Sequence, residues 1–364
     1  MESNYKRLGQ YIQPVDVRNK DDIRYDLLGV SVEKCFIESI ANTVGTDWHS
    51  YKIIKKGQFC YIPDTSRRGD KIGIALLTDR EIGLVSAVYT VFEVKSDELL
   101  PEYLMLWFKR AEFDRYARFH SHGSVREIFD WDEMCNVELP VPSVEKQKAI
   151  VNAYNTIERR IALKRKINDN LESQAYAIYK NLTAESEKTS ALSDIAIITM
   201  GTSPEGDTFN QDGNGVIFYQ GRTDFGFRFP TVRLYTTDPK RFAKKGDVLM
   251  SVRAPVGDIN IANNDCAIGR GIASIRPRNK CYSYLYYTMK ELYFELNRFN
   301  DDGTVFGSIN KDDLFALKIA SVPDSLQILF DKKVSSIDNS IRINEMEIEN
   351  LLETQATLLC QLTV

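Results

Sequence analysis

The chain carries one pattern twice, displaced by about 180 residues, and any fold it adopts must honour that duplication. Gly123-Ser124-Val125, Asp130-Trp131-Asp132-Glu133-Met134, Val137-Glu138-Leu139 and Gln147 return as Gly303-Thr304-Val305, Asn310-Lys311-Asp312-Asp313-Leu314, Leu317-Lys318-Ile319 and Gln327. Upstream, Lys55-Lys56-Gly57-Gln58 answers Lys244-Lys245-Gly246-Asp247, and Pro101-Glu102-Tyr103-Leu104 loosely answers Tyr282-Ser283-Tyr284-Leu285. Downstream, Asn170 to Ala175 answers Leu351 to Ala356 with one residue of slippage. Two repeats of this size imply a pseudo-twofold object, since solenoid periods are much shorter. The expected domains are a globular unit at 1–142, a long helix at 143–182, a second globular unit at 183–325 and a second long helix at 326–364.

The two stretches without glycine or proline explain the helices. Ile150, Tyr154, Ile157, Ile161, Leu171, Ala175, Ile178 and Leu182 follow helical seam spacing, with Lys164 and Asn168 at the intervening seam positions. Val334, Ile337, Ile341, Asn344, Ile348, Leu351, Gln355, Leu358 and Leu362 alternate by three and four. This is the stripe of a coiled coil. A helix of about 38 residues is roughly 57 Å long and outruns a domain of this size. The first helix carries eight basic against four acidic residues and the second three against six, so their charges complement. Antiparallel pairing with each other is expected, Asn168 and Asn344 fixing register. The fold class is α+β: two pseudo-twofold-related mixed α/β units separated by a long antiparallel two-helix coiled coil.

Strands are expected at 52–54, 59–62, 73–77 and the run 85–94 in the first unit. In the second they are expected at 216–219, 247–251, 258–261 and 272–275. Helices follow at 101–118 and 282–298, where Leu and aromatic residues recur at helical spacing. Pro140-Val141-Pro142 and Val322-Pro323 punctuate each unit before its long helix. No apolar run of about 18 residues predicts a membrane span. Met-Glu-Ser-Asn-Tyr-Lys-Arg at the start lacks a signal peptide's apolar stretch. The six cysteines form no Cys-x-x-Cys pair and read as buried free thiols. A cytoplasmic protein is the expectation.

Familiar catalytic motifs are missing: there is no phosphate loop, no dinucleotide glycine fingerprint, no His-Glu-x-x-His and no nucleophile elbow. Asn/Asp-Pro-Pro-aromatic, the methyltransferase tetrapeptide, is also absent. One degenerate pattern, Asp64 with Glu93 and Lys95, fits a metal-dependent nuclease in which two carboxylates hold Mg²⁺ and lysine orients water. Its strand has no counterpart in the second copy. Other polar clusters suit a polyanion. The first unit offers Arg67, Arg68 and Lys71, then His120, His122, Ser124 and Arg126; the second offers Gln220, Arg222, Arg228, Ser251, Arg253, Arg270 and Thr304. Hydroxyls and cations bind phosphates, while Arg and Gln fork onto base edges. Each loop alone could equally be a solvated turn. The net charge of −4 lacks the basic excess usual among nucleic-acid binders, so an isolated chain should bind DNA weakly.

In order and duplication, these landmarks resemble the specificity subunit of type I restriction–modification enzymes. The resemblance runs from Gly123 through Gln147 to Leu182 and again from Gly303 through Gln327 to Leu362. It implies two target-recognition domains, each reading half of a bipartite double-stranded DNA site, with the paired helices setting the gap. It further implies that two modification (methyltransferase) subunits dock on the helices and that a restriction (motor/nuclease) subunit completes cleavage. This chain would then bind no cofactor and no metal and would carry no catalytic residue, S-adenosylmethionine sitting in the modification subunit. A metal-dependent nuclease and a non-catalytic protein-interaction scaffold remain the alternatives.

Overall fold

The computed structural model describes residues 5–39, 47–66, 71–123, 126–300 and 307–363. The chain divides into two compact units, one made of Met1–Ala162 with Asn350–Val364, the other of Leu163–Glu349.

In unit one the strands are β1 (Tyr5–Arg7), β2 (Ile12–Val15), β3 (Leu27–Val30), β4 (Phe36–Glu38), β5 (Lys52–Lys55), β6 (Phe59–Tyr61), β7 (Ile74–Leu76), β8 (Ile82–Val85), β9 (Thr90–Val94) and β10 (Glu138–Pro140). Its helices are α1 (Pro101–Phe108), α2 (Ala111–Phe119) and α3 (Trp131–Asn136), followed by the long α4 (Val144–Thr183). Unit two repeats the scheme with β11 (Ser190–Ala191), α5 (Leu192–Ile195), β12 (Ala196–Met200), β13 (Phe209–Asn210), β14 (Val216–Tyr219), β15 (Leu234–Thr236), β16 (Phe242–Ala243), β17 (Val248–Ser251), β18 (Ile259–Ile261), β19 (Cys266–Ile268) and β20 (Ile272–Pro277). It continues through α6 (Tyr282–Glu291), α7 (Tyr293–Asn297), α8 (Lys311–Ala316), β21 (Lys318–Ile319) and α9 (Asp324–Cys360).

The sheets are duplicated strand for strand. Order β2-β9-β6-β7 in unit one is matched by β12-β20-β17-β18 in unit two. Beside them, β4-β3-β8-β5 is matched by β15-β14-β19-β16, with β13 added at the edge. Within each of these second sheets one pair is parallel, β3 with β8 and β14 with β19. The short pairs β1-β10 and β11-β21 also correspond. The expected strand over 85–94 is two strands in different sheets: β8 ends at Val85, a turn closes with Tyr89 N donating to Ser86 O (3.1 Å), and β9 starts at Thr90. The expected helix over 101–118 breaks because Arg110 is extended (φ −74°, ψ 141°), its guanidinium lying 4.2 Å over the Trp107 ring.

The residues that repeat in sequence are the ones that hold this frame. Gly57 and Gly246 both take positive φ (84° and 93°) in a turn closed by Gln58 N or Asp247 N donating to the carbonyl of Lys55 or Lys244. An L side chain is disfavoured there. The side chains of Gln58 and Asp247 accept from the same two lysine amides at 2.8 Å. Asp130 and Asn310 cap α3 and α8 by accepting from the N3 amides of Glu133 and Asp313 (both 2.9 Å). Gln147, fully buried, accepts from Leu100 N (2.8 Å) and donates to Glu98 O (2.7 Å), tying α4 to the entry of α1. Gln327 does the same at α9, donating to Val322 O and accepting from Asn279 Nδ2.

Both long helices enter the cores. In unit two Tyr179 and Ala175 of α4 pack with Phe330 and Val334 of α9 and with Tyr284 and Tyr287 of α6. In unit one Val151 and Tyr154 of α4 pack with Leu358 and Leu359 of α9 and with Leu362 just beyond it. Low residue numbers of one helix meet high numbers of the other, so within each unit the pairing is antiparallel. Val151 and Tyr179 are buried while their neighbours Ile150 and Ile178 are half-buried, so the stripe drifts around α4 near its ends. Between them lies a polar layer. Lys164 Nζ donates to Asn344 Oδ1 (2.9 Å), Asn344 Nδ2 to Asn168 Oδ1 (2.8 Å) and Asn168 Nδ2 to Glu345 Oε1 (2.7 Å), while Lys164 also pairs with Glu347 (2.6 Å). Asn168 is wholly buried.

The cysteine expectation holds in part: Cys60, Cys266 and Cys281 are buried free thiols, whereas Cys35 and Cys360 are exposed. Among the described residues no helix is long and apolar enough to cross a membrane.

Replacing Asn168 by Ala strands Asn344 and Glu345 in the seam and should cost about 1–3 kcal/mol in denaturant unfolding. A change below about 0.5 kcal/mol would mean that the polar layer does not set the pairing. Gln147→Ala should destabilise by a similar amount, about 1–3 kcal/mol, for the lost clamps to Leu100 N, Glu98 O and Pro142 O.

Candidate nucleic-acid interface

Each unit builds the same corner where its two larger sheets exchange strands. In unit two, Val252 O at the end of β17 accepts from Ile309 N (3.1 Å), and Arg253 bridges Ser308. The connection from β19 to β20 packs into this corner: Val252 N donates to Gly271 O (3.0 Å) and Gly271 N to Gln220 O (3.2 Å). The backbones touch so closely that a Cβ on Gly271 would stand 2.6 Å from Gln220 O, and one on Gly201 would stand 2.2 Å from Gly269 O. Glycine is required by approach here. Arg270 is thereby held with its amide donating to Ser203 Oγ (3.1 Å). Gln220, Arg253 and Arg270 all project as exposed side chains from one backbone cluster. Arg222 is half-exposed and pairs with Asp258 (3.0 Å).

Unit one frames the counterpart with other side chains. Pro63 O accepts from Phe129 N (2.9 Å), as Val252 O does from Ile309 N, and Asp64 bridges Ile128, as Arg253 bridges Ser308. His122 and Ile128 exchange two backbone hydrogen bonds, and Thr65 Oγ1 lies 2.9 Å from Ser121 Oγ. His120 Nδ1 stands 3.2 Å and His122 Nε2 3.8 Å from the Glu133 carboxylate; Arg118 pairs with Glu127. Arg126 is exposed. The corner also presents Phe119, 81% exposed, and Ile128. Neither was singled out as a contact from the sequence, though Phe119 lies in the expected 118–126 cluster; the signal was an aromatic residue closing α2 just before His-Ser-His-Gly. Apolar groups of this kind suit the thymine methyl, while Arg and Gln suit purine edges.

The structure revises two expected contacts, those of Arg228 and Ser251. Arg228 is 1% exposed, held between Glu172 and Asp338 and covered by Tyr286, so it cannot face DNA from this unit's surface. Ser251 is buried and closes the turn after β17, its hydroxyl donating to Pro255 O (2.7 Å) and accepting from Asp258 N (3.0 Å). Lys71 stays half-exposed at the surface, paired with Glu33 (2.9 Å). Arg67, Arg68, Ser124 and Thr304 lie outside the described residues.

The nuclease reading fails on register. Phe59 faces Phe92 across β6 and β9, which puts Glu93 beside Gln58, and Gln58 Nε2 donates to it (2.8 Å). Asp64 lies six residues further along that chain, about 20 Å at strand rise. There its carboxylate accepts from Ser66 (2.6 Å). Among the described residues no group of three His, Cys, Asp or Glu could hold a metal ion.

Both halves of the chain, residues 19–173 and 185–354, match the type I restriction modification DNA specificity domain. The chain belongs to that family. Over 280 residues it is 29% identical to the protein assigned as the type I restriction enzyme MjaX specificity subunit of Methanocaldococcus jannaschii, covering 68% of this chain and 63% of that one. It is 26% identical over 175 residues to the HindI specificity subunit of Haemophilus influenzae, covering 46% of this chain and 37% of the relative. The chain thus spans less than two thirds of the length of these curated relatives. The crystal structure of a type I restriction–modification S subunit from M. genitalium shares the fold, with a TM-score of 0.60 at 16% identity over 98% of this chain and 95% of that one.

Two substitutions probe the corner. Gly271→Ala forces backbone apart and should cost about 1–3 kcal/mol of stability, seen as a lowered unfolding midpoint. Arg253→Ala leaves the frame intact and should weaken binding to a cognate duplex by about tenfold, as loss of one base or phosphate contact does. Unchanged affinity in a folded Arg253→Ala variant would move the interface elsewhere.

Proposed function

We propose that this chain is the DNA-reading subunit of a type I restriction–modification complex and carries out no catalysis itself. One observation carries the reading: two family-matched units share a frame strand for strand yet present different side chains at the same corner, Asp64, His122 and Ile128 in one, Arg253 and Ser308 in the other. A duplicated scaffold with divergent corners suits a target whose two halves differ in sequence. Each unit reads one half of a bipartite double-stranded site, and the long helices set the unread gap between halves. Two modification subunits dock on the helices and bring S-adenosylmethionine for adenine methylation; a restriction subunit joins where cleavage occurs. Any backbone contacts make binding fall with salt. The net charge of −4 favours weak binding by the lone chain, partners completing the grip.

Cells expressing this chain with its modification subunit should carry methylated adenines in a two-part motif with a constant gap. Exchange of residues 1–142 for the corresponding part of another family member should change one half of that motif and leave the other. A continuous motif, or one in which both halves change, would refute the assignment.

A further inference from the structure

Unit two carries an arginine where unit one carries an open groove. Arg228 arrives on the long connection between β14 and β15, its carbonyl accepting from Ile261 N on edge strand β18 (2.8 Å). Its guanidinium donates to Asp338 of α9 (3.0 Å), Glu172 of α4 (3.3 Å) and the Tyr287 hydroxyl (3.1 Å), and lies 4.1 Å over the Tyr286 ring. The repeat gives each of these a counterpart in unit one. Leu76 on edge strand β7 stands for Ile261, Met105 and Leu106 for Tyr286 and Tyr287, Glu158 of α4 for Asp338, and Glu353 of α9 for Glu172.

No residue of the connecting segment stands for Arg228, and Glu158 is engaged instead by Lys109 of the turn after α1. Only five residues, 31–35, join β3 to β4, and the one buried cation among them, Lys34, turns to Asp114 and Ile72 O. What is left is a groove of about 530 Å³ lined by Leu76, Met105, Leu106, Tyr154 and Glu158, with Cys35 also on its wall. Lys109 reaches Glu158 (2.9 Å) and lies 4.8 Å over the Tyr154 ring. Glu353 is exposed.

We propose that this groove receives an arginine side chain presented by a protein partner of the complex. This rests on the reading of the chain as one subunit of an assembly. Two features select the occupant. The carboxylates of Glu158 on α4, Glu102 on α1 and Asp79, set beside apolar walls, fit a planar, forked guanidinium better than a compact ammonium. An edge strand alongside offers backbone groups to a polypeptide, as β18 does to residue 228, which a free amino acid would use poorly. An arginine there would link a partner to α4 and α1 of unit one, as Arg228 links its connection to α4 and α6 within unit two.

Native Cys35 supplies the probe. The full chain with Cys360→Ser is labelled at Cys35 with benzophenone maleimide, assembled with its modification subunit and irradiated, and the captured peptide is sequenced. The expected result is a partner peptide containing arginine. In unlabelled protein, Cys35 alkylation should slow on assembly, and Glu158→Gln should weaken assembly by about tenfold. Capture of peptides without arginine, unchanged Cys35 reactivity in an intact complex, or unchanged assembly by Glu158→Gln would each overturn the proposal. If the wild-type chain forms no complex, the subunit reading itself fails and takes this inference with it.

Discussion

The hydrogen-bonded layer of Lys164, Asn168 and Asn344 fixes how the two long helices meet in unit two, and the other contacts of α4 and α9 follow from it. A coiled-coil stripe of apolar residues tolerates a slip of one heptad; a stripe interrupted by polar side chains does not. Moving α9 by seven residues would set Asn168 against an apolar level of the seam and leave a fully buried amide without partners. With register held, Tyr179 meets Phe330 in unit two, and the antiparallel sense recurs where Tyr154 meets Leu358 in unit one. Opposite net charges on the helices support the same pairing at Lys164 and Glu347.

A division of labour follows from the duplication. What the two copies share is turn, cap and clamp chemistry: Gly57 with Gly246, Asp130 with Asn310, Gln147 with Gln327. What they do not share lies at the corners and in the grooves beside the helices. Close backbone packing at Gly201 and Gly271 holds the corner of unit two without help from the side chains of Gln220, Arg253 or Arg270. Those side chains can therefore vary without dismantling what supports them.

This division also explains what the sequence disclosed. Helix extents, antiparallel pairing and the seam positions of Asn168 and Asn344 were legible, since periodicity and polar interruptions survive in linear form; that the two amides bond to each other was not. The exposed positions of Arg126, Gln220, Arg253 and Arg270 were legible as polar residues in turns. Arg228 was misread because nothing local announces that Glu172 and Asp338, on helices 56 and 110 residues away, converge on it. Ser251 was misread for a related reason: its hydroxyl closes a turn with residues that follow it, and a buried turn looks like an exposed one in sequence. The break at residues 86–89 was hidden inside a run of strand-forming residues, where strands of two sheets join end to end.

The compact units are not both contiguous in the chain. Unit two is a single stretch, 163–349, whereas unit one needs residues 350–362 to cover Val151 and Tyr154. During synthesis the amino-terminal lobe therefore emerges first but keeps part of its apolar surface bare until nearly 190 further residues have left the ribosome. Nascent chains interrupted in that interval would carry a sticky, half-closed lobe, so the lobe translated first is the one whose core is sealed last.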